Sequence, residues 1–94
     1  MIENVNDKEV EQFKYIASKV TKLTKKPTIE ELLTLYGLYK QATIGNNRTP
    51  VPSFLDQKGK FKWNAWSKHS GKSKNVARQE YIEFATSLLQ KYMN

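Results

Sequence analysis

The sequence predicts an all-α protein, a bundle of four helices, on three observations. Apolar residues recur at spacings of three and four in four separate segments, which is the pattern of one helix face. Proline or glycine separates these segments, at Pro27, Gly45 and Gly71. Between these breaks the chain has none of the alternation of apolar and polar residues that is typical of strands.

Helix-start signals define the elements. Asn6 and Glu9 form a capping-box pattern before the first apolar stripe, and Pro27 is expected to stop that helix. Thr28 and Glu31 form the clearest capping box in the chain. The predicted helices are residues 7–24, 29–44, 57–69 and 74–92.

The second helix is apolar or aromatic on nearly every face, so it is either central or partly covered by a ligand. Gly45 is expected to end it in a left-handed conformation. About ten residues follow before the next helix, and they contain Pro50 and Pro52. A connection of that length is long for a bundle and allows the third helix to run parallel to the second.

Length and composition indicate one domain over residues 1–94. The chain has no cysteine, no secretory signal pattern in its first ten residues and no apolar window of about 18 residues, so we expect no stable membrane insertion.

The net charge is +7, and nine basic residues but only one acid lie between Leu32 and Gln79. This basic middle implies an anionic partner: nucleic acid, an anionic membrane surface or a phosphorylated small molecule.

Nothing in the sequence favours an enzyme. The single histidine, His69, has no carboxylate close in sequence, and no nucleophile–base motif appears. The possible metal ligands are scattered carboxylates, so no metal site is predicted. We therefore expect a binding protein with no cofactor.

An aromatic and basic face occurs on the second helix. Tyr36, Tyr39 and Lys40 are three or four residues apart and share one side. Rings can stack on a base, while hydroxyl and ammonium groups can donate to a phosphate. The alternative at this stage is that the tyrosines are core residues and the lysine is solvated.

A second functional class also fits the charge. A small helical nucleic-acid-binding module would use lysines on the third helix and just after it. No helix-turn-helix, zinc-knuckle or RNP signature supports that alternative. The lysines in question are Lys58, Lys60, Lys62, Lys72 and Lys74.

Two longer motifs carry a family resemblance. Tyr36-Gly-Leu-Tyr-Lys-Gln-Ala-Thr-Ile-Gly45 resembles the Tyr-x-x-Tyr-Lys-Gln-Ala-Thr-x-Gly signature of acyl-CoA-binding proteins. Gly59-Lys-Phe-Lys-Trp-Asn-Ala-Trp66 resembles their Gly-Lys-x-Lys-Trp-x-Ala-Trp signature, at the separation usual in that family. The similarity extends over about residues 13–92.

The resemblance implies an up-down-down-up four-helix bundle that binds long-chain fatty acyl-CoA and acts as an intracellular carrier and pool buffer in lipid metabolism. It further implies a cytoplasmic monomer that exchanges acyl-CoA with the enzymes that produce and consume it. By resemblance, the 3′-phosphate and adenine of CoA would contact Tyr36, Tyr39, Lys40, Lys62, Tyr81 and Lys58. The acyl chain would be covered by Leu33, Leu32 and Phe61.

Three positions depart from the family pattern. Thr21 stands where a lysine often reaches the CoA phosphates, so one charge contact is missing. Val76 replaces the acid that often completes a capping box after Ser73. Phe61 is larger than the small residue common there, and we expect it to alter the acyl groove.

Overall fold

The computed structural model describes residues 7–93, and this part of the chain contains four helices and no strand. The all-α prediction is therefore confirmed. The helices are α1 Asp7–Val20, α2 Ile29–Thr43, α3 Gln57–Ser67 and α4 Lys74–Tyr92. Helices α2 and α3 end one and two residues before their predicted ends, and α4 has its predicted bounds.

Side-chain caps form at three helix starts, and two of them, Thr28 and Ser73, were predicted. Thr28 and Glu31 make both hydrogen bonds of the capping box at α2. Asp56 accepts from the amide of Gly59 at α3, and Ser73 accepts from the third residue of α4. These side chains accept hydrogen bonds from backbone amides that have no partner within their own helix. The predicted Asn6 cap lies outside the described residues.

Helix α1 is four residues shorter than predicted. It ends at Val20 because the turn after it forms tighter hydrogen bonds. The amides of Lys22 and Leu23 donate three residues back rather than four, and the Thr21 hydroxyl donates to the carbonyl of Ser18 at 2.7 Å. Hydroxyl groups that bond nearby carbonyls compete with helix continuation, which periodicity alone does not reveal.

Contacts between helix ends establish the up-down-down-up order. The Glu31–Lys91 ion pair joins the start of α2 to the end of α4, so these helices are antiparallel. Arg78 pairs with Glu9, so α1 and α4 run parallel. The Trp66 indole donates to the carbonyl of Gly45 at 2.7 Å and joins the ends of α2 and α3, which are therefore parallel.

Helix α4 packs against α1 and α2, whereas α3 packs against α2 alone among the described helices. The described chain is flat, with extents of 46 × 39 × 15 Å. None of its helices combines the length and apolar character needed to cross a bilayer. The core between α1, α2 and α4 contains Phe13, Leu35, Leu38, Ala42, Ala77, Tyr81, Ala85 and Leu88.

Two polar or small residues fix the position of α2. Gln41 is fully buried, and its amide nitrogen donates to Asn46 and to the carbonyl of Lys72, both at 2.9 Å. Gly37 faces α3, where a Cβ atom would lie 2.2 Å from the carbonyl oxygen of Ala65. The two helices therefore touch backbone to backbone, a distance that only glycine permits.

Candidate functional site

The aromatic and basic face of α2 is accessible. Tyr39 exposes 42 % of its surface, and Tyr36 and Lys40 are half-buried. Neither tyrosine is a fully buried core residue, so the alternative in which they only fill the core does not describe them. Gly45, with φ of +98°, ends this face as predicted, and its amide donates to the carbonyl of Lys40.

Tyr39 belongs to a cluster of three rings. It stacks on Phe13 of α1 at a centroid distance of 5.5 Å and an interplanar angle of 19°. Both rings meet the edge of Tyr81 of α4, at 5.0 Å from Phe13 and 5.9 Å from Tyr39. Phe13 and Tyr81 are buried, so they hold the Tyr39 ring while part of its surface remains open.

The environment of Tyr81 keeps its phenol neutral. Burial and, to a smaller extent, the neighbouring Tyr39 together raise the pKa of Tyr81 to about 12. A neutral hydroxyl remains a hydrogen-bond donor across the physiological pH range.

Two lysines extend this face onto α3. The Lys62 ammonium lies 5.3 Å from the centroid of the Tyr36 ring, and that of Lys40 lies 4.8 Å from the centroid of the Trp66 ring. The ion pairs formed within residues 7–93 use other cations, so neither ammonium is neutralised by a described carboxylate. The result is one positive charge over the Tyr36 ring and a second one over the Trp66 ring.

A groove of about 440 Å³ separates α1 from α2 and brings together three of the residues predicted to contact the nucleotide, namely Tyr36, Tyr39 and Tyr81. Leu32 lies in the same groove, and Thr21 lines its α1 side. A lysine at position 21 would have added charge here, so this wall is uncharged in this chain.

A second groove of about 410 Å³ lies between the first halves of α2 and α3. Its walls include every residue predicted for the acyl chain, together with Lys58 and Lys62. Leu32 and Tyr36 line both grooves, so the two grooves adjoin across α2, and together they are called the channel below. Lys40 is the one predicted residue that lines neither groove, and it lies one helical turn from Tyr36 on the same face.

Some residues of this site were not predicted from the sequence. Ile29 exposes 71 % of its surface in the second groove, and Phe13 supports Tyr39 from behind. The spacing of Ile29 to Leu32 and Leu33 was the available signal, since it places all three on one face. The contact of Lys40 with Trp66 depends on α2–α3 packing and has no local signal.

Comparison with known proteins identifies the family. Residues 10–85 match the family model for Acyl CoA binding protein. The chain is 54 % identical over 82 residues to acyl-CoA-binding protein homolog of Drosophila melanogaster, which covers 87 % of this chain and 95 % of that protein. This chain belongs to the acyl-CoA-binding protein family.

Other members of the acyl-CoA-binding protein family agree in sequence and fold. Acyl-CoA-binding protein of Saccharomyces cerevisiae is 44 % identical over 80 residues, which cover 85 % of this chain and 92 % of that protein. The crystal structure of Oryza sativa acyl-CoA-binding protein 2 superposes with a TM-score of 0.88 at 38 % identity, over 93 % of this chain and 95 % of that one. The resemblance seen in the two motifs is thus confirmed, as is the fold expected from it.

The lysines of the nucleic-acid alternative lie in two groups, in the first half of α3 and beyond its end. Lys58 and Lys62 border the second groove, whereas Lys72 is engaged by Glu80 at 2.5 Å beyond the far end of α3. Within residues 7–93, no three carboxylate or imidazole groups are arranged to hold a metal ion.

Proposed function

We propose that this member of the acyl-CoA-binding protein family binds long-chain fatty acyl-CoA and acts as a carrier and pool buffer in lipid metabolism. The observation that carries the proposal is the channel across α2. The groove between α1 and α2 is bordered by three tyrosines, and the groove between α2 and α3 is mostly apolar with Lys58 and Lys62 on its wall. This combination matches a ligand with an anionic nucleotide at one end and a hydrocarbon chain at the other.

The nucleotide would be held by charge and stacking. The 3′-phosphate of CoA carries close to two negative charges, and Lys40, Lys62 and the Tyr36 hydroxyl can donate charge-assisted hydrogen bonds to it. The open surface of Tyr39 suits the adenine ring, and Tyr81 lies at its edge. Lys58 supplies a further positive charge on the α3 side of the channel.

The hydrocarbon would gain affinity by burial against Leu32, Leu33 and Phe61. Each buried methylene is worth about 0.8 kcal/mol, so a dozen would contribute about 10 kcal/mol before the cost of ordering the chain. Shortening the chain by two carbons is expected to weaken binding about tenfold.

We further propose that the protein is not an enzyme and needs no cofactor. The residues that line the channel include no nucleophile with a base beside it. Burial, followed by the charge of Lys72, lowers the pKa of His69, and this side chain lines a different groove from the two of the channel. Incubation with palmitoyl-CoA and a thiol reagent tests this point, since steady thiol release above the blank would contradict it.

The family role also suggests a cytoplasmic monomer that receives acyl-CoA from one set of enzymes and delivers it to another. We propose that all of residues 1–94 belong to one acyl-CoA-binding domain. Analytical ultracentrifugation with and without palmitoyl-CoA tests the monomer directly.

The phosphate site is tested by calorimetric titration with palmitoyl-CoA and with its 3′-dephospho analogue. Loss of the 3′-phosphate and Lys40→Ala are each expected to weaken binding at least about tenfold, because each removes a charge-assisted contact. Lys14→Ala is the matched control, since Lys14 is an exposed lysine of α1 that lines neither groove. Equal affinities for both thioesters would disprove the phosphate site.

Tyr36→Phe isolates one hydroxyl. It keeps the ring beneath the Lys62 ammonium and is expected to cost about 1–2 kcal/mol of binding free energy. Unchanged or tighter binding by this variant would remove Tyr36 from the phosphate site.

A further inference from the structure

Four large apolar side chains project from one region beside the second groove. Phe54 and Leu55, at the tip of the loop before α3, expose 78 % and 79 % of their surfaces, and Ile29 and Phe61 expose 71 % and 55 %. Phe54 and Phe61 border one shallow depression, and Phe61 and Ile29 border the second groove. Phe54 and Phe61 therefore continue the wall of the channel outward, and Leu55 directly follows Phe54 in the chain. Ile29, Phe54, Leu55 and Phe61 are called the apolar rim below.

The loop tip holds Phe54 and Leu55 in place. The Leu55 amide donates to the Ser53 hydroxyl at 3.1 Å, and the Asp56 amide donates to the Ser53 carbonyl at 2.9 Å. These bonds fix the backbone that carries two side chains with little of their surface buried against the protein. Exposed apolar groups of this kind mark a contact surface for another body.

The charges around the apolar rim are mostly positive. Lys58, Lys60 and Lys62 all lie on α3, and each lines a groove that Phe61 also lines. Asp56 is the one acid between residues 50 and 70, and its carboxylate accepts the amide of Gly59 at the start of α3. None of the three lysines is in an ion pair with a carboxylate of the described chain.

Projecting apolar side chains ringed by lysines match the interface of an anionic bilayer. Apolar groups enter the boundary between headgroups and acyl chains, while lysines remain at the level of the lipid phosphates and carboxylates. A second copy of this chain fits less well, because a twofold contact through the rim would bring the same lysines together.

We propose that the apolar rim and the lysines of α3 dock reversibly on the surface of an anionic bilayer, with the open channel facing the lipid. The transfer of acyl-CoA between the bilayer and the protein, which this docking would permit, rests on the proposed function. Acyl-CoA is an amphiphile, so its hydrocarbon chain could pass from the bilayer along Phe61 into the second groove without crossing water. The contact is peripheral and requires no membrane-spanning helix.

Vesicle co-sedimentation tests the docking in the absence of cargo. The full chain is expected to bind vesicles of phosphatidylcholine mixed with phosphatidylserine and not vesicles of phosphatidylcholine alone. Phe54→Ser/Leu55→Ser is expected to lower the vesicle affinity at least about tenfold, because two inserted side chains are lost. The matched control is Ile44→Ser/Val76→Ser, which removes two exposed apolar residues near the junction of α2 and α4.

Lys60→Gln is expected to lower vesicle affinity about fivefold, and added salt to weaken it further. Calorimetry with palmitoyl-CoA separates this proposal from the proposed function, since Phe54→Ser/Leu55→Ser should keep its ligand affinity. If wild type binds vesicles but does not bind palmitoyl-CoA, only the proposed transfer of acyl-CoA from the bilayer is overturned. The docking proposal would be overturned if wild type and Phe54→Ser/Leu55→Ser bound vesicles equally well, or if wild type showed no preference for anionic lipid. It would also be overturned if wild type formed a dimer that this variant abolishes.

Discussion

The close approach of α2 and α3 makes Gly37→Ala a sharp test of the packing described above. An alanine Cβ would lie 2.2 Å from the Ala65 carbonyl oxygen and 2.8 Å from its carbon. Both are backbone atoms, so no side-chain rotation can relieve the overlap. The helices must separate until the contact reaches at least 3.0 Å, a shift of about 0.8 Å.

Two opposing terms set the size of the effect. Replacing a helical glycine by alanine stabilises a helix by about 1 kcal/mol, whereas overpacking at a tight contact costs about 1–3 kcal/mol or more. Because both neighbouring atoms belong to the backbone, we take the upper part of that range. Gly37→Ala should therefore lower the free energy of unfolding by about 1–2 kcal/mol, and a domain of this size should melt about 4–16 °C lower.

Gly59→Ala provides the control, because its Cβ would also meet an oxygen at 2.2 Å. That oxygen belongs to the Asp56 carboxylate, which can rotate away at the cost of one cap hydrogen bond. Thermal unfolding followed by circular dichroism should place Gly37→Ala well below Gly59→Ala. A Gly37→Ala variant as stable as wild type would refute the argument from backbone contact.

Three further predictions concern single side chains. Hydrogen bonds from Lys91, Tyr92 and the Thr28 amide lower the pKa of Glu31 to about 2. The contribution of Glu31 to the free energy of unfolding is therefore complete above the unfolded pKa of about 4.5 and is lost as the pH falls towards 2. In urea unfolding across this range, stability should depend less steeply on pH for Glu31→Gln than for wild type, and equal pH dependence would contradict this. Tyr81 should ionise near pH 12 in an absorbance titration, and Tyr81→Phe should have one late-titrating phenol fewer, while the raised pKa of Tyr92 is unaffected; an equal number in both proteins would contradict this. Gln41→Met should lower the free energy of unfolding by about 1–3 kcal/mol in urea, because the Lys72 carbonyl loses its buried donor, and a neutral result would show that this hydrogen bond contributes little.

Local signals were sufficient for most of the fold. Thr28 with Glu31 and Ser73 marked starts that the structure reproduces, since a cap depends on residues within one turn. The end of α1 was predicted wrongly, because we placed it at residue 24, just before Pro27, whereas Thr21 and its neighbours end the helix at Val20, four residues earlier. Such competition between side-chain and helical hydrogen bonds leaves little trace in apolar periodicity.

In the candidate site too, some features follow from local sequence and others depend on tertiary packing. The shared face of Tyr36 and Lys40 follows from helical spacing alone. That Lys62 lies over Tyr36, and Phe13 behind Tyr39, depends on how α2 packs against α3 and α1. The sequence supplied the side chains of the channel, but only tertiary packing brings them into one groove.

The attachment of α3 has a consequence for the release of cargo. Helix α3 contacts no described helix other than α2 and has one buried residue, Trp66. Local opening of α3 should therefore require less free energy than unfolding of the α1–α2–α4 core, and its amides should exchange with solvent first. Because α3 carries Lys58, Lys62 and Phe61, one such opening would remove the proposed phosphate contact of Lys62 and one wall of the proposed acyl groove together. The lifetime of a bound acyl-CoA would then be limited by the detachment of a single short helix, while the rest of the protein stays folded.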